Sequence, residues 1–240
     1  MGLDEANRRQ WQRRVNGKYL TTKSLYTAEA VILIKHREAF WRKRVLDLCC
    51  GAGRTTWVLK QCAAEYRGID YSERMVAVCR ELHPDADVTW GDARQLTEVP
   101  TGSFDFVLCS FNGLDYMNHA DRLRALSGVR RVLKPDGLLV FSTHNARYRD
   151  ARKPPRLVLG RNPLRFPRHL LDFVRERAAH RRHRGKQVFG AEYSIINDSA
   201  NGYSLLSYYI GRDQQEVQLA AQGFHVLEAY DPDGNRLAPG

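Results

Sequence analysis

Two glycines and a set of carboxylates are spaced so that they could hold a ligand with a sugar diol, a base and an anionic end. Gly51 and Gly53 lie between an apolar run at 45–49 and a helix-like stretch at 54–64. A glycine turn there lets the backbone approach a ligand closely, and the helix after it offers free N–H groups to an anionic portion. Asp70 ends the next apolar run, about 20 residues on, where a carboxylate can accept both hydrogen bonds of a ribose diol. Asp92 follows a third run and suits an adenine amino group. For proton transfer the candidate is His144, just past the run at 138–143, with His119 and Asp115 behind it. The alternative for His144 is a hydrogen bond to a loop. Tyr208 and Tyr209 could reach an acceptor or simply pack, and Trp11, Tyr19 and Tyr26 read as an aromatic helical cover or as ordinary helix packing.

These residues share a site only if the runs are parallel strands with their carboxyl ends at one edge. The segments 45–49, 66–70, 88–90, 104–111 and 138–143 are short and largely apolar, and helical patterns at 54–64, 73–82 and 121–133 separate them. Ser72 can cap the second helix. Alternation of this kind predicts an α/β fold, a Rossmann-like, doubly wound, mostly parallel sheet with helices on both faces. A Lys134-Pro135-Asp136-Gly137 break precedes the last of these strands. Beyond it come a helix over about 169–183, a β-hairpin from 192–197 and 203–210 around an Asn/Asp/Ser/Gly turn, a helix over 213–221 and a strand over 224–230. The expected divisions are an N-terminal helical cover at 1–40, the ligand-binding core at 41–145, a basic insert or lid with the hairpin at 146–210, and a C-terminal helix and strand completing the core at 211–240.

Composition narrows the class. Of 240 residues 43% are hydrophobic, enough for a sizeable core and too many for a disordered chain. No apolar run approaches the ~18 residues that span a bilayer, and residues 1–14 lack the apolar stretch of a signal peptide. A soluble cytoplasmic protein with no membrane partner is expected. The five cysteines form no CxxC pair, which argues against a disulfide framework or a metal site and for reduced, buried thiols. The net charge of +11 is unevenly placed: residues 146–190 hold 14 of the 38 basic residues and 3 of the 27 acidic ones.

Val45-Leu46-Asp47-Leu48-Cys49-Cys50-Gly51-Ala52-Gly53-Arg54 resembles motif I of the class I S-adenosylmethionine-dependent methyltransferases. Gly68-Ile69-Asp70-Tyr71-Ser72-Glu73-Arg74-Met75 resembles their ribose-binding motif and Gly91-Asp92-Ala93 their adenine-binding motif. Residues 104–111 resemble the fourth strand, and Arg131-Val132-Leu133-Lys134-Pro135-Asp136-Gly137 the stretch before the fifth. The resemblance covers about residues 40–145, and five motifs in order are far more specific than one. It implies S-adenosyl-L-methionine as cofactor, with S-adenosyl-L-homocysteine as product. It further implies Asp47 and the Cys49–Gly53 backbone beside the methionine portion, Asp70 on the ribose, and Asp92 and Ala93 on adenine. Tyr71 and Met75 would line the adenine pocket, and Ser110 would reach the cofactor from the fourth strand.

Two departures stand out: Cys49 replaces the family's first glycine, and only one strand is expected after the last helix, where the family normally has two. A nicotinamide dehydrogenase would want a third glycine where Thr56 stands. The Ser110-Phe111-Asn112-Gly113 loop lacks the Asn/Asp-Pro-Pro-aromatic sequence of enzymes that methylate planar amino groups. The expected activity is methyl transfer to oxygen or nitrogen of a small-molecule acceptor, an anionic one included. A nucleic-acid methyltransferase using the basic insert and a non-catalytic S-adenosylmethionine-binding protein are the alternatives. The insert reads as a substrate lid, a nucleic-acid surface or a solvated face, and its few aromatics weaken the second. The oligomeric state is left open, a homodimer included.

Overall fold

The computed structural model describes residues 7, 10, 11, 24–157 and 162–238. Tyr19 and much of the proposed 1–40 cover lie outside the described residues. In chain order the elements are α1 (Thr27–Lys35), β1 (Arg44–Leu48), α2 (Thr56–Cys62), β2 (Glu65–Asp70), α3 (Glu73–Leu82), β3 (Val88–Trp90), β4 (Phe104–Cys109), α4 (His119–Val132) and β5 (Leu133–Phe141). They are followed by β6 (His144–Asn145), α5 (Phe166–His183), β7 (Val188–Phe189), β8 (Tyr193–Ile196), β9 (Ser207–Ile210) and α6 (Arg212–Ala221).

Strands β1 to β5 pair in parallel in the order β3-β2-β1-β4-β5. The doubly wound sheet expected from the apolar runs is thus present. Apolar residues on both faces of β1 require cover on both sides. Leu46 and Leu48 join Ala125, Leu126 and Val129 of α4 in one core. Val45 joins Leu33 of α1, Phe40 and Leu59 of α2 in the other. Each such buried aliphatic side chain contributes about 1.5–3 kcal/mol. The strand order reverses between β1 and β4, opening a crevice at their carboxyl ends.

Local signals set the helices that flank this crevice. The Ser72 hydroxyl accepts from the Met75 N–H at 3.4 Å and starts α3. Asn118 accepts from the Asp121 N–H at 3.0 Å, so α4 begins two residues before the expected position. β5 begins at Leu133, before the Pro-Asp-Gly stretch. Leu133 pairs with Phe104, the register shifts, and Leu138 then pairs with Phe106. The expected break is therefore an irregularity within a strand.

The hairpin arms form a second sheet with two very short partners, in the order β6-β9-β8-β7. Asn197 ties its long connection by donating to the carbonyls of Tyr203 at 2.9 Å and Leu205 at 2.6 Å. The strand expected at 224–230 does not form. Only an isolated bridge joins Tyr230 to Arg236 there, because the Asp231 carboxylate accepts the N–H groups of Asp233 and Asn235 and turns the chain back. Phe224 packs on the core, and Glu228 pairs with Lys35 and His36 at the end of α1. Side-chain contacts thus pin this segment where ladder bonds were expected. Among the described residues no helix is long and apolar enough to cross a membrane.

Candidate functional site

The crevice is a cavity floored by the Cys49–Ala52 turn, walled by Asp70–Ser72, Met75 and Gly91–Arg94, and closed by Ser110, Phe111, Gly113, Tyr116 and Met117. Trp11 and Tyr26 also line it. Gly51 has a φ of +57°, and a β-carbon there would meet nothing within 4 Å, so backbone conformation and not crowding favours glycine. Asp70 is buried. Its Oδ2 accepts from the Gly51 N–H at 2.9 Å and its Oδ1 from the Ser72 N–H at 2.8 Å. Burial pushes its carboxyl up to about 6, against the opposing pull of those two bonds. Each carboxylate oxygen keeps a further lone pair for a diol.

Three of the expected cofactor residues sit differently. Asp47 is behind the lining: its Oδ2 accepts from Thr55 at 2.8 Å and Tyr66 at 3.0 Å, and burial raises its carboxyl to about 6. Its Oδ1 is buried and has no hydrogen-bond partner among the described residues. Gly53 also lies outside the lining and serves packing, since a β-carbon there would stand 2.6 Å from the His83 ring. Asp92 does line the cavity, but Arg94 grips its carboxylate at 2.6–3.0 Å and also reaches Asp121 at 3.0 Å. An ion pair, and not a bare carboxylate, faces this end. Ala93, Tyr71 and Met75 are in the wall beside it.

Cys49 has a φ of +59° although it is not glycine. Its side chain packs against Gly113, where an added β-carbon would lie 2.6 Å from the Cys49 β-carbon. A hydrogen bond with Cys109, together with burial, raises the Cys49 thiol well above its ordinary value. It is a protonated packing group beside the cavity.

At the mouth, Ser110 belongs to a cluster that the sequence did not reveal. The Glu29 carboxylate of α1 takes both Arg54 Nη atoms at 2.5 Å and also bonds the Ser110 hydroxyl. Burial acts to raise the Glu29 carboxyl, but the Arg54 and Ser110 bonds and the Arg54 charge outweigh it and hold it below the usual range. The Arg54 guanidinium lies 4.4 Å over the Tyr26 ring, and Tyr26 stacks on Phe111 at 5.5 Å. Nothing local links residues 29, 54 and 110; only the fold does.

The rim at Phe111 and Asn112 is built on strained backbone. Phe111 and Asn112 both have positive φ, 54° and 60°, conformations that cost of order 1–3 kcal/mol each and cluster at functional sites. Asn112 Nδ2 lies 3.1 Å from His144 Nε2, and His144 Nδ1 lies 2.7 Å from Asp115 Oδ2. With Nδ1 donating to that carboxylate, Nε2 accepts from Asn112. Burial lowers the imidazole's proton affinity, but the Asp115 bond and charge more than compensate and raise it above the ordinary value. His144 contacts Tyr116 edge-on, with centroids 6.3 Å apart, so it stands one side-chain layer behind the lining.

Asp115 is fully buried, and its carboxylate also takes Arg122, the Thr143 hydroxyl at 2.9 Å and the His144 N–H at 2.7 Å. It orients His144 and is closed off from the cavity and from solvent. His119 is likewise occupied: Nδ1 bonds the Tyr208 hydroxyl at 2.8 Å, and the ring stacks on Tyr193 at 4.3 Å. Burial lowers its proton affinity. Tyr209 bonds Asp198 at 2.7 Å and packs on His144. The site thus brings together Cys49, Gly51, Asp70, Tyr71, Met75, Asp92, Ala93 and Ser110, with His144 behind them and Asp47, Gly53, Asp115 and His119 in support.

Residues 45–137 match the family described as "Methyltransferase domain". A demethylmenaquinone methyltransferase of Staphylococcus aureus (strain JH9) is 38% identical over 118 residues, which cover 42% of this chain and 47% of that protein. The chain spans less than half the length of the curated relatives it matches. Among solved structures, an S-adenosylmethionine-dependent methyltransferase from Clostridium acetobutylicum ATCC 824 aligns with a TM-score of 0.62 at 13% identity, over 90% of this chain and 87% of that one. CalS10, an amino pentose methyltransferase from Micromonospora echinaspora, gives a TM-score of 0.58 at 18% identity, over 90% of each chain. Those two likenesses concern the fold, while the family match spans the residues that build most of the crevice. Residues 45–137 therefore match a methyltransferase domain and build it on the fold of S-adenosylmethionine-dependent methyltransferases.

Proposed function

We propose that the chain transfers a methyl group from S-adenosylmethionine to an oxygen or nitrogen of a small-molecule acceptor. The observation that carries this reading is the buried Asp70 carboxylate joined to the Gly51 turn at the floor of a cavity capped by aromatic side chains. The cavity residues fit the cofactor: Asp70 would hold the ribose, Tyr71, Met75 and Ala93 the adenine, and the Cys49–Ala52 backbone the amino-acid portion. Asp92, held by Arg94, would act on the adenine through the ion pair's edge. Bound there, the cofactor supplies a methyl on a sulfonium, which is open to in-line displacement.

The chain's own part is positioning, exclusion of water and the handling of one proton. Tyr26, Phe111 and Tyr116 crowd the mouth. His144 is proposed as the base: Asp115 holds Nδ1, and Nε2 becomes free for an acceptor O–H or N–H when the Asn112 amide moves aside. Asp115, anchored by Arg122, is a positioning residue. The relatives named above act on demethylmenaquinone and an amino pentose, which supports a small-molecule acceptor.

Calorimetric titration with S-adenosylmethionine and S-adenosylhomocysteine tests the cofactor reading, and a labelled-methyl assay against cell extract tests transfer. Binding that is lost in Asp70→Ala and kept in His144→Ala, with turnover of His144→Ala down by roughly 10²–10⁴-fold, is expected. Absence of binding in the unaltered chain would overturn the proposal. Full turnover in His144→Ala would remove the base.

A further inference from the structure

The helix α5 carries an exposed surface outside the lining of the cavity. One stripe faces the protein: Phe173 and Glu176 are half-buried, His183 is buried, and His180 bonds Asn197 at 2.8 Å and meets the Tyr203 ring edge-on. A second stripe points away from it. Phe166, Leu170, Leu171 and Val174 recur at i, i+4, i+5 and i+8, and each is more than 40% exposed. Leu164, in the turn before the helix, is 88% exposed. Arginines border this stripe, and residues 163–186 hold eight basic residues against two acidic ones. The acidic Asp172 already has Arg168 and Arg175 within 4.0 Å.

A helix with one docked edge, one exposed apolar edge and flanking arginines has the form of an interfacial helix that lies in the plane of a lipid surface. We propose that α5 docks the protein on an anionic lipid bilayer, with Leu170, Leu171 and Val174 entering the acyl boundary and the arginines meeting the headgroups. Charge decides between this occupant and its rivals. A second copy placed face to face would set eight basic residues against eight others. Nucleic acid would use the arginines but leave the exposed Leu and Val side chains in water, with Phe166 alone on this stripe available for stacking. Of these three occupants, a bilayer with negative headgroups uses both components. The absence of a membrane-spanning helix is no obstacle, since an interfacial helix crosses nothing.

The test is sedimentation of the full chain with vesicles of phosphatidylcholine alone or of equal parts phosphatidylcholine and phosphatidylglycerol, at low and moderate salt. Sedimentation with the anionic vesicles only, weakening as salt rises, is expected. Leu171→Ser with Val174→Ser should reduce the partition coefficient at least about tenfold, and Arg168→Gln with Arg175→Gln about 5-fold per arginine. The melting temperature of every variant is read alongside and should match that of the unaltered chain, because these side chains are exposed. Failure to sediment, equal sedimentation with neutral vesicles, or unchanged partition in the serine variant would overturn the proposal. So would binding to a short RNA without binding to vesicles, or a dimer in solution that the serine substitutions dissolve. None of these results depends on cofactor binding, so the docking surface and the methyl-transfer reading stand or fall separately.

Discussion

The pair formed by Cys49 and Gly113 gives a quantitative test of how the cavity floor is built. Cys49 leaves β1 in the left-handed region, where a side chain costs roughly 1–2 kcal/mol that glycine would avoid. Its β-carbon and sulfur then occupy the space that a side chain at residue 113 would need. A β-carbon on Gly113 would stand 2.6 Å from the Cys49 β-carbon, 2.9 Å from its sulfur and 3.0 Å from the Cys109 sulfur. Carbon atoms in contact prefer about 3.5–4.0 Å. Two β-carbons are fixed to their backbones and no rotamer separates them, so Gly113→Ala must move a cavity-lining segment by about 1 Å. Overpacking of this kind costs about 1–3 kcal/mol, or roughly 2–12 °C in melting temperature for a chain of this length.

Cys49→Gly relieves the left-handed strain and loses one small, half-buried side chain. Those effects oppose each other, and the single variant should lie within about 1 kcal/mol of the unaltered protein. In the Cys49→Gly background, Gly113→Ala keeps only the last of those three contacts, with the Cys109 sulfur. The two substitutions should therefore couple favourably by about 1–2 kcal/mol. Urea denaturation of the four proteins measures this directly, and calorimetric titration with S-adenosylmethionine reports whether the floor has shifted. Additivity to within about 0.5 kcal/mol would show that residue 113 does not meet Cys49.

Three further outcomes follow from the same contacts. Asp70 takes a proton near pH 6 in the folded chain against about 3.9 when unfolded. Cofactor affinity should therefore fall about tenfold per pH unit below 6 in calorimetry, and a flat profile from pH 5 to 8 would count against Asp70 as the diol acceptor. The folded state binds the extra proton between these values, so the contribution of this group to stability is greatest below about pH 4 and is lost as pH rises through about 6. His144 must be neutral to act as a base, and Asp115 raises its proton affinity. The pH profile of kcat/KM should rise through a midpoint above about 6.5, and a rise centred below that would exclude this histidine. Arg122→Met leaves the buried Asp115 carboxylate without its guanidinium and frees Gln215 and Gln218 of α6. A loss of about 3–5 kcal/mol in urea denaturation is expected, and a loss under 1 kcal/mol would show that the pair is dispensable.

What could be read from sequence divides along the range of the interactions. Strand, glycine turn and capped helix are written locally, so β1 to β4 and α3 lie within two residues of their expected bounds. The turn and Asp70 meet because parallel strands bring successive carboxyl ends to one edge. Residues that act by holding other residues leave no such signal. Asp115 and His119 share the polar character of a base, and only their partners, Arg122 and Tyr208, show that they are occupied. Arg122 is the sharpest case. An arginine inside a helical pattern reads as solvated, yet this one is fully buried, with Asp115 seven residues earlier and Gln215 and Gln218 more than ninety residues later as partners.

The segment at 224–230 errs in the opposite direction. Its apolar residues resemble a strand, but alternation says only which side chains seek cover. Whether a ladder supplies that cover depends on the edge available to it, and here Phe224 finds the core while Glu228 finds α1. The same logic applies to α5. A helix over about 169–183 is expected from sequence and spans Phe166–His183 in the structure, but a helix carries more than one stripe, and only the fold shows which one the protein covers. The other is left as a basic, apolar face whose partner must be sought outside the chain.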